Sequence, residues 1–466
     1  MKHIFDVIIV GMGPAGLAAA AKLEDSGLCF AILDSGKTAS KRDRHDATDA
    51  TSGNGGAGLF SDGKFSFFPS ATELWTLEDQ NALKEAYTWT CNRLGAAGLD
   101  TPPFPESPKQ YAYKGPDGLK DLDFVLKAYP SDYLSLEARM NLIDDMVGRI
   151  RGQIFNECHV DDVQYDEVAD NFTLKVRDVS KNHNRALSEL CARRIIVTTG
   201  RFGPLGNGLM NLTEHSNFRR LEVGFRIEQS SDRAFFRDMK QLDPKLRFQE
   251  IEKGMEWRTF CVCRQGETVL TETKGLWTVS GRSDCPPTGR SNSGFNTLIL
   301  DENTARDLTL PAIKAMMKPG SHFELPMTGL LQEDECVTGK FDKIYGRELR
   351  LGMTKGLSRL AKKFPDLGTD ENAKLIGPTL EGVGWYPKVS GRLKLLDAPA
   401  YVSGDACGLF RGIVAAMISG HYSAAALMEE MNYFGRAQIY SVSKKRHGVS
   451  YSIRPNRHID IYQPIH

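Results

Sequence analysis

The chain lacks a surplus of either charge: across 466 residues Lys plus Arg and Asp plus Glu are both 59. Such a chain carries no net field that draws it to nucleic acid or to acidic lipid. It also lacks any run of about 18 apolar residues, so no segment is expected to span a membrane. The apolar start is broken by Asp6 and is followed by no cleavage site, so a secretory signal is not expected. Internal repeats and low-complexity stretches are missing. The nine cysteines are scattered and odd in number, which argues against a complete disulfide framework. Cys261-Val262-Cys263 has no second Cys or His pair at ligand spacing. It reads as two strand residues on opposite faces, and no metal is expected. These absences suit a reducing, cytoplasmic setting and a small-molecule partner.

What is present points to more than one compact unit, because 466 residues exceed a single core. Hydrophobic content of 41% and charged content of 25% are ordinary for a globular chain. The 44 glycines suit a fold with several tight, ligand-facing turns. The most informative segment is 8–34, IIVGMGPAGLAAAAKLEDSGLCFAILD. An apolar strand at 7–10 runs into Gly11-Met12-Gly13-Pro14-Ala15-Gly16, an alanine-rich helix follows, and a second strand at 30–33 ends in Asp34. This is G-x-G-x-x-G in the βαβ setting that dinucleotide binding requires. Gly11 allows the sharp turn, Gly13 lets backbone approach a pyrophosphate, and Gly16 lets helix and strand pack closely. The helix start then offers free N–H groups and a positive dipole end to the diphosphate. Asp34, 18 residues past Gly16, is placed to accept hydrogen bonds from a ribose diol.

Beyond this unit, 37–49 is a charged surface loop and 53–64 is a glycine-dense loop. Residues 75–95 read as helix, closed by the proline-rich 101–108. Strand-like alternation fills 153–176, and an apolar strand at 194–198 ends in Thr199-Gly200-Arg201. Further strands are expected near 221–228, 258–280 and 295–300, with helices near 303–317 and 348–363. Residues 382–387 read as a return, followed by a strand ending in Gly404-Asp405 and a small-residue helix over 412–428. The expected architecture is α/β: a discontinuous Rossmann-like dinucleotide-binding domain with a central parallel sheet and an inserted, mixed α+β substrate domain. The first takes 1–220, with an excursion at 70–130, and 376–435; the second takes 221–375. Residues 436–466 form a tail that packs on the surface or on a second subunit, so a homodimer is left open.

The fingerprint alone does not separate FAD from NAD, but distant segments do. Thr199-Gly200 resembles the A-T-G turn of flavoproteins, and Gly404-Asp405 resembles their second FAD motif. The helix that starts at Gly412-Ile413 can aim its N–H groups at a flavin pyrimidine ring. In order and spacing the chain resembles the glutathione-reductase-type, two-dinucleotide FAD flavoprotein superfamily. Within it, GNGGAGLFSDGK (53–64), VGFRIE (223–228), TFCVC (259–263), SNSGFN (291–296) and SGDACGLFRGI (403–413) resemble the FAD-dependent dehydrogenase-like branch. That resemblance implies FAD contacts at Gly11, Gly13, Pro14, Ala15, Gly16, Asp34 and Ser35. It implies the same for Gly55, Gly56, Ala57 and Gly58, and for Ser61, Asp62, Gly63 and Lys64. Val160 becomes the backbone contact to adenine, and Thr199, Gly200, Arg201, Gly404, Asp405, Gly412 and Ile413 complete the set.

The reaction is less constrained. A resident NAD(P)H domain needs a second G-x-G-x-x-G, and the glycines at 200, 203 and 206 have the wrong spacing. A C-x-x-x-x-C near the first helix is absent, which speaks against a disulfide reductase. The W-x-W-x-I-P helix of flavin halogenases is absent too, and GDACG stands where aromatic hydroxylases carry GDAAH. Hydride transfer between a small organic substrate and flavin N5, of dehydrogenase or oxidase type, is the leading expectation. NAD(P)H-driven reduction of a C=C bond, monooxygenation, and a non-enzymatic FAD-containing binding or sensing role are the alternatives. The candidate catalytic residues are Lys64, Arg226, Arg290, Asn292 and His421, with Glu228, Asn296, Trp385 and Tyr386 as further pocket residues. Arg226 and Glu228 share a strand face and are expected to pair with each other. His421 reads as a satisfied core histidine, and Cys407 as a packed side chain, with a covalent flavin link or a thiol of lowered pKa as the alternatives.

Overall fold

The computed structural model describes residues 3–108, 124–127, 129–180, 188–206, 208–248 and 254–445. Strand Ile4–Val10, helix Pro14–Leu23 and strand Phe30–Leu33 form the first βαβ unit, the two strands parallel with Val7 opposite Phe30. Strand Ser188–Val197 lies parallel on the other side of Ile4–Val10, and Gln153–Phe155 lies parallel outside Phe30–Leu33. Ser188–Val197 shares its far edge between two partners. Its first half pairs antiparallel with Asn171–Asp178, and its last three residues pair parallel with Ala400–Val402. Cys158–Asp166 closes that antiparallel extension. The parallel strands are buried on both faces, so they read as continuous apolar runs.

A second sheet of seven strands is built on Ser216–Ser230, which pairs antiparallel with both Arg290–Ile299 and Lys374–Pro387. Met255–Cys263, Lys245–Phe248 and Phe124–Lys127 extend it on one side, and Phe323–Pro326 on the other. Helices Glu302–Met316, Glu335–Tyr345 and Arg347–Lys363 pack against it. Leu349, Met353, Leu357 and Leu360 of the last of these recur at helical spacing and are all buried. Each sheet has its own hydrophobic core.

The second sheet reaches past the expected limits of 221 and 375, which fall inside Ser216–Ser230 and Lys374–Pro387. Residues 382–387, read from sequence as a return to the first domain, stay in the second sheet, with Trp385 opposite Phe218. Two-sided burial and three register shifts blur the alternation that would have marked this strand. Phe124–Lys127, expected in an excursion of the first domain, pairs with Lys245–Phe248 instead; residues 109–123 and 128 lie outside the described residues. The last helix runs Ile413–Lys445, so 436–445 of the expected tail are helical, and 446–466 lie outside the described residues. Among the described residues no helix is long and apolar enough to cross a membrane.

Candidate functional site

The turn after the first strand is held by backbone. Gly11 has φ +105° and its N–H donates to the Leu33 carbonyl at 2.7 Å. Thr198 Oγ1 donates to the carbonyls of Val10 and Gly11 at 2.9 and 2.8 Å. A Cβ on Gly16 would lie 1.9 Å from the Gly11 carbonyl oxygen, so only glycine lets the helix start sit on the turn. Helix Pro14–Leu23 has no side-chain cap and no acid in its first turn. Its first N–H groups therefore lack an intrahelical acceptor and face outward along the dipole. Asp34 accepts from Met12 N at 2.7 Å and Gly36 N at 2.8 Å. It thus ties the turn to the second strand, and a carboxylate holding two donors retains lone pairs for a diol. Cys158 N donates to the Asp34 carbonyl at 2.8 Å, which sets Val160, buried on Cys158–Asp166, just beyond this strand end; Ser35 is exposed.

The glycine loop folds over the same turn. Gly55 N donates to the Met12 carbonyl at 2.9 Å. A Cβ on Gly58 would meet Ile413 at 3.1 Å and Pro14 at 3.4 Å, so the loop touches both helix starts at once. Arg139, 2% exposed on helix Leu136–Gly148, donates to the carbonyls of Leu59 and Ser61 at 2.7 and 3.0 Å. Asp284, just before strand Arg290–Ile299 of the second sheet, ion-pairs with Arg139 and, at 3.0 Å, with Arg44. Arg42, stacked over Phe60 at 4.8 Å, donates to the Asn54 and Asp49 carbonyls. Burial lowers the Arg42 pKa to about 10 despite nearby Asp34 and Asp49.

Gly404 completes the cluster: its N–H donates to Ser419 Oγ at 2.9 Å, and a Cβ there would lie 3.2 Å from the Ala15 Cβ. Asp405 Oδ2 takes Arg411 at 3.3 Å and Arg201 at 3.5 Å. Both arginines reach the second sheet, Arg201 to Glu381 at 2.6 Å and Arg411 to Glu222 at 3.2 Å. Glu222 is fully buried and also meets Arg220, Arg258 and Asn296. Burial alone would raise its pKa; the charges of Arg258, Arg411 and Arg220 outweigh it and hold the carboxylate well below the ordinary range.

The fingerprint turn, the loop at 53–60, Thr198, Gly404 and the start of helix Ile413–Lys445 therefore meet in one place. Buried polar atoms around it have no protein partner: Asp405 Oδ1, Thr199 Oγ1, Asn54 Oδ1 and Arg42 Nη2. Unmet groups of this kind next to two helix starts, one of them uncapped, fit a polyhydroxylated diphosphate such as FAD.

The structure gathers three of the five catalytic candidates, Lys64, Arg226 and Asn292, around Cys261-Val262-Cys263, and sets His421 elsewhere. Lys64 ion-pairs with Asp62 at 3.1 Å and donates to the Val262 carbonyl. Arg226, 1% exposed, donates to Asn292 Oδ1 and to the Cys261 carbonyl, both at 2.6 Å. The expected Arg226–Glu228 pair is replaced: Glu228 binds Arg290 of the adjacent strand at 2.8 Å, while Arg226 is taken up by Asn292 and the Cys261 carbonyl. His421 is buried beside Trp89 at 5.0 Å, remote in the fold from Arg226, and its Nδ1 has no partner. Asn296 bridges Glu222 and Thr379. Trp385 Nε1 donates to Glu302 at 3.2 Å, and the Tyr386 hydroxyl accepts from Val383 N at 3.1 Å. Cys407 is not a thiol of lowered pKa: burial raises it to about 12. The opposite-face reading of Cys261 and Cys263 is also corrected. In a strand, residues two apart share a face; here a bulge with Cys261 at φ +49° turns both sulfurs toward Asp62. Sequence reasoning missed Thr198, Arg139 and Asp284. Arg411 stood within the quoted GLFRGI run but was not singled out.

No family model matches the sequence, and no curated protein matches it. Solved structures match over most of its length. A flavoprotein/dehydrogenase from Cytophaga hutchinsonii is 14% identical, over 92% of this chain and 79% of that one, with a TM-score of 0.39. A geranylgeranyl bacteriochlorophyll reductase-like protein from Thermoplasma acidophilum is 12% identical, over 96% and 84%, with a TM-score of 0.40. OxyS anhydrotetracycline hydroxylase from Streptomyces rimosus is 11% identical, over 91% and 63%, with a TM-score of 0.39.

Proposed function

We propose that the chain is an FAD-dependent oxidoreductase of dehydrogenase or oxidase type acting on a small organic substrate. The observation that carries this reading is the meeting of the Gly11–Gly16 turn, the 53–60 loop and the Gly404-Asp405 turn around buried, unpartnered Asp405 Oδ1, Thr199 Oγ1 and Asn54 Oδ1. FAD, when bound, supplies a two-electron acceptor for such a substrate. The chain's own groups account for holding it. The first turn of helix Pro14–Leu23 offers N–H groups to a diphosphate, Asp34 offers a carboxylate to a diol, and Asp405 Oδ1 accepts a hydroxyl proton. Arg139 fixes the loop by its carbonyls, so the loop stays ordered without a side chain entering the site.

Purified full-length protein tests the reading. Bound flavin, seen as a yellow colour with its absorbance bands, is expected. A colourless protein that takes up no FAD overturns it. Anaerobic addition of NADH or NADPH is expected to leave the flavin oxidised, whereas amines, amino acids or hydroxy acids bleach it. Rapid bleaching by a pyridine nucleotide overturns the dehydrogenase assignment in favour of a nucleotide-driven reductase.

A further inference from the structure

Cys261 and Cys263 sit where the second sheet meets the glycine loop. Cys261 Sγ donates to Asp62 Oδ2 at 3.1 Å, and the two sulfurs and a carboxylate oxygen of Asp62 all lie within 4.8 Å of one another. Asp62 and both thiols resemble a soft-metal ligand set, but cations already hold the space. Lys64 Nζ is 3.1 Å from Asp62, Arg226 Nη2 is 3.6 Å from Cys263 Sγ, and Lys245 is 3.1 Å from Asp243. Lys64 and Arg226, with half-buried Lys245, thus face two carboxylates, Asp62 and Asp243. One more anion balances them, and a second metal-like charge does not. The nearest group able to supply that anion is Cys263.

We propose that Cys261 and Cys263 form a redox-active dithiol that exchanges with low-molecular-weight disulfides. The backbone permits the bond. Two residues of extended chain span about 7 Å, at the upper edge of what a disulfide bridges, and the two sulfurs already lie within 4.8 Å of each other. The two sulfurs take different roles. Cys263 is buried and lies against Arg226; Cys261 is half-buried and is the one a reactant reaches. The neighbouring Cys261 thiol and then the Arg226 and Lys64 charges outweigh burial and lower the Cys263 pKa, while Cys263, burial and Asp62 raise that of Cys261. In the exchange, Cys263 takes the Cys261 proton and the Cys261 sulfur attacks the incoming disulfide, forming a mixed disulfide and expelling one thiolate. That thiolate takes the proton from Cys263. The Cys263 thiolate then attacks the Cys261 sulfur, closing the protein disulfide and releasing the second thiolate. The dithiol loses two electrons and the small disulfide gains them.

This proposal does not depend on bound flavin. The full-length protein is equilibrated in graded mixtures of reduced and oxidised glutathione, quenched in acid, alkylated and mapped by mass spectrometry. The peptide carrying both cysteines is expected to lose two hydrogens and resist alkylation while buried Cys91 and Cys407 still alkylate after unfolding. Cys263→Ser is expected to stop at one glutathione on Cys261. A pair that stays fully alkylatable while exposed Cys29 and Cys336 become glutathionylated overturns the proposal. So does stoichiometric zinc released when the native thiols are blocked. The wild-type map decides the matter even if the variant does not fold, and a colourless protein would overturn the flavin reading without altering the thiol result.

Discussion

Gly420 lies directly on the backbone of Ala15: a Cβ on Gly420 would stand 1.9 Å from the Ala15 carbonyl oxygen. Helix Ile413–Lys445 therefore crosses helix Pro14–Leu23 with no side chain between them. The contact sets the distance between the two helix starts that border the candidate site. Gly420→Ala is expected to cost about 2–3 kcal/mol, since the obstacle is backbone and not a flexible side chain. Gly95→Ala, in a helix with open space around its Cβ, is expected to gain about 0.5–1 kcal/mol. Urea unfolding of both variants beside wild type checks the pair.

Gly13 separates binding from folding. A Cβ there meets nothing closer than the Gly56 Cα at 3.8 Å, whereas one on Gly16 collides with Gly11. Gly13→Ala is expected to keep the wild-type unfolding midpoint without cofactor and to bind FAD at least tenfold more weakly. Fluorescence titration of the apoprotein measures the affinity.

Glu222 makes the junction sensitive to acid. Its folded pKa lies well below the ordinary value of 4.5, so its contribution is complete above about that pH and is lost as pH falls toward the folded value. Glu222→Gln leaves Arg220, Arg258 and Arg411 without their shared buried anion. It is expected to lose about 3–5 kcal/mol at neutral pH. The gap from wild type narrows as the solution is acidified below about 4.5. Denaturant midpoints across that range provide the check.

His421 acts in a different window. Burial first, and the Lys22 charge next, lower its pKa from 6.5 to about 4. The unfolded chain takes up the proton before the folded one, so stability is complete above 6.5 and falls as pH drops toward 4. The span corresponds to roughly 3 kcal/mol. His421→Phe, which keeps a ring against Trp89, is expected to flatten this part of the stability–pH curve.

The first βαβ unit was legible because its constraints are local: glycines at a turn, apolar strands either side, and an acid at the strand end. The extent of the second sheet was not. Ser216–Ser230 and Lys374–Pro387 find each other across more than a hundred residues, and burial on both faces removes the alternation that marks a strand end. The cysteine pair was misread for a simpler reason: residues two apart share a strand face, so spacing alone already put Cys261 and Cys263 together. Arginines that cap carbonyls are harder still. Arg139 serves a loop some 80 residues away, and no local pattern distinguishes it from a surface arginine.

The parallel contact between Ala400–Val402 and the end of Ser188–Val197 bears on how the chain is made. During synthesis, Ile195 to Val197 emerge long before their partner and present a bare sheet edge. The second sheet, whose strands from 216 to 387 intervene, can collapse on its own core in that interval. The first sheet is thus begun first and finished last. Its completion waits on loop closure across the strands of the second sheet, which makes the nascent chain dependent on holding that edge apart from other chains until residue 400 arrives.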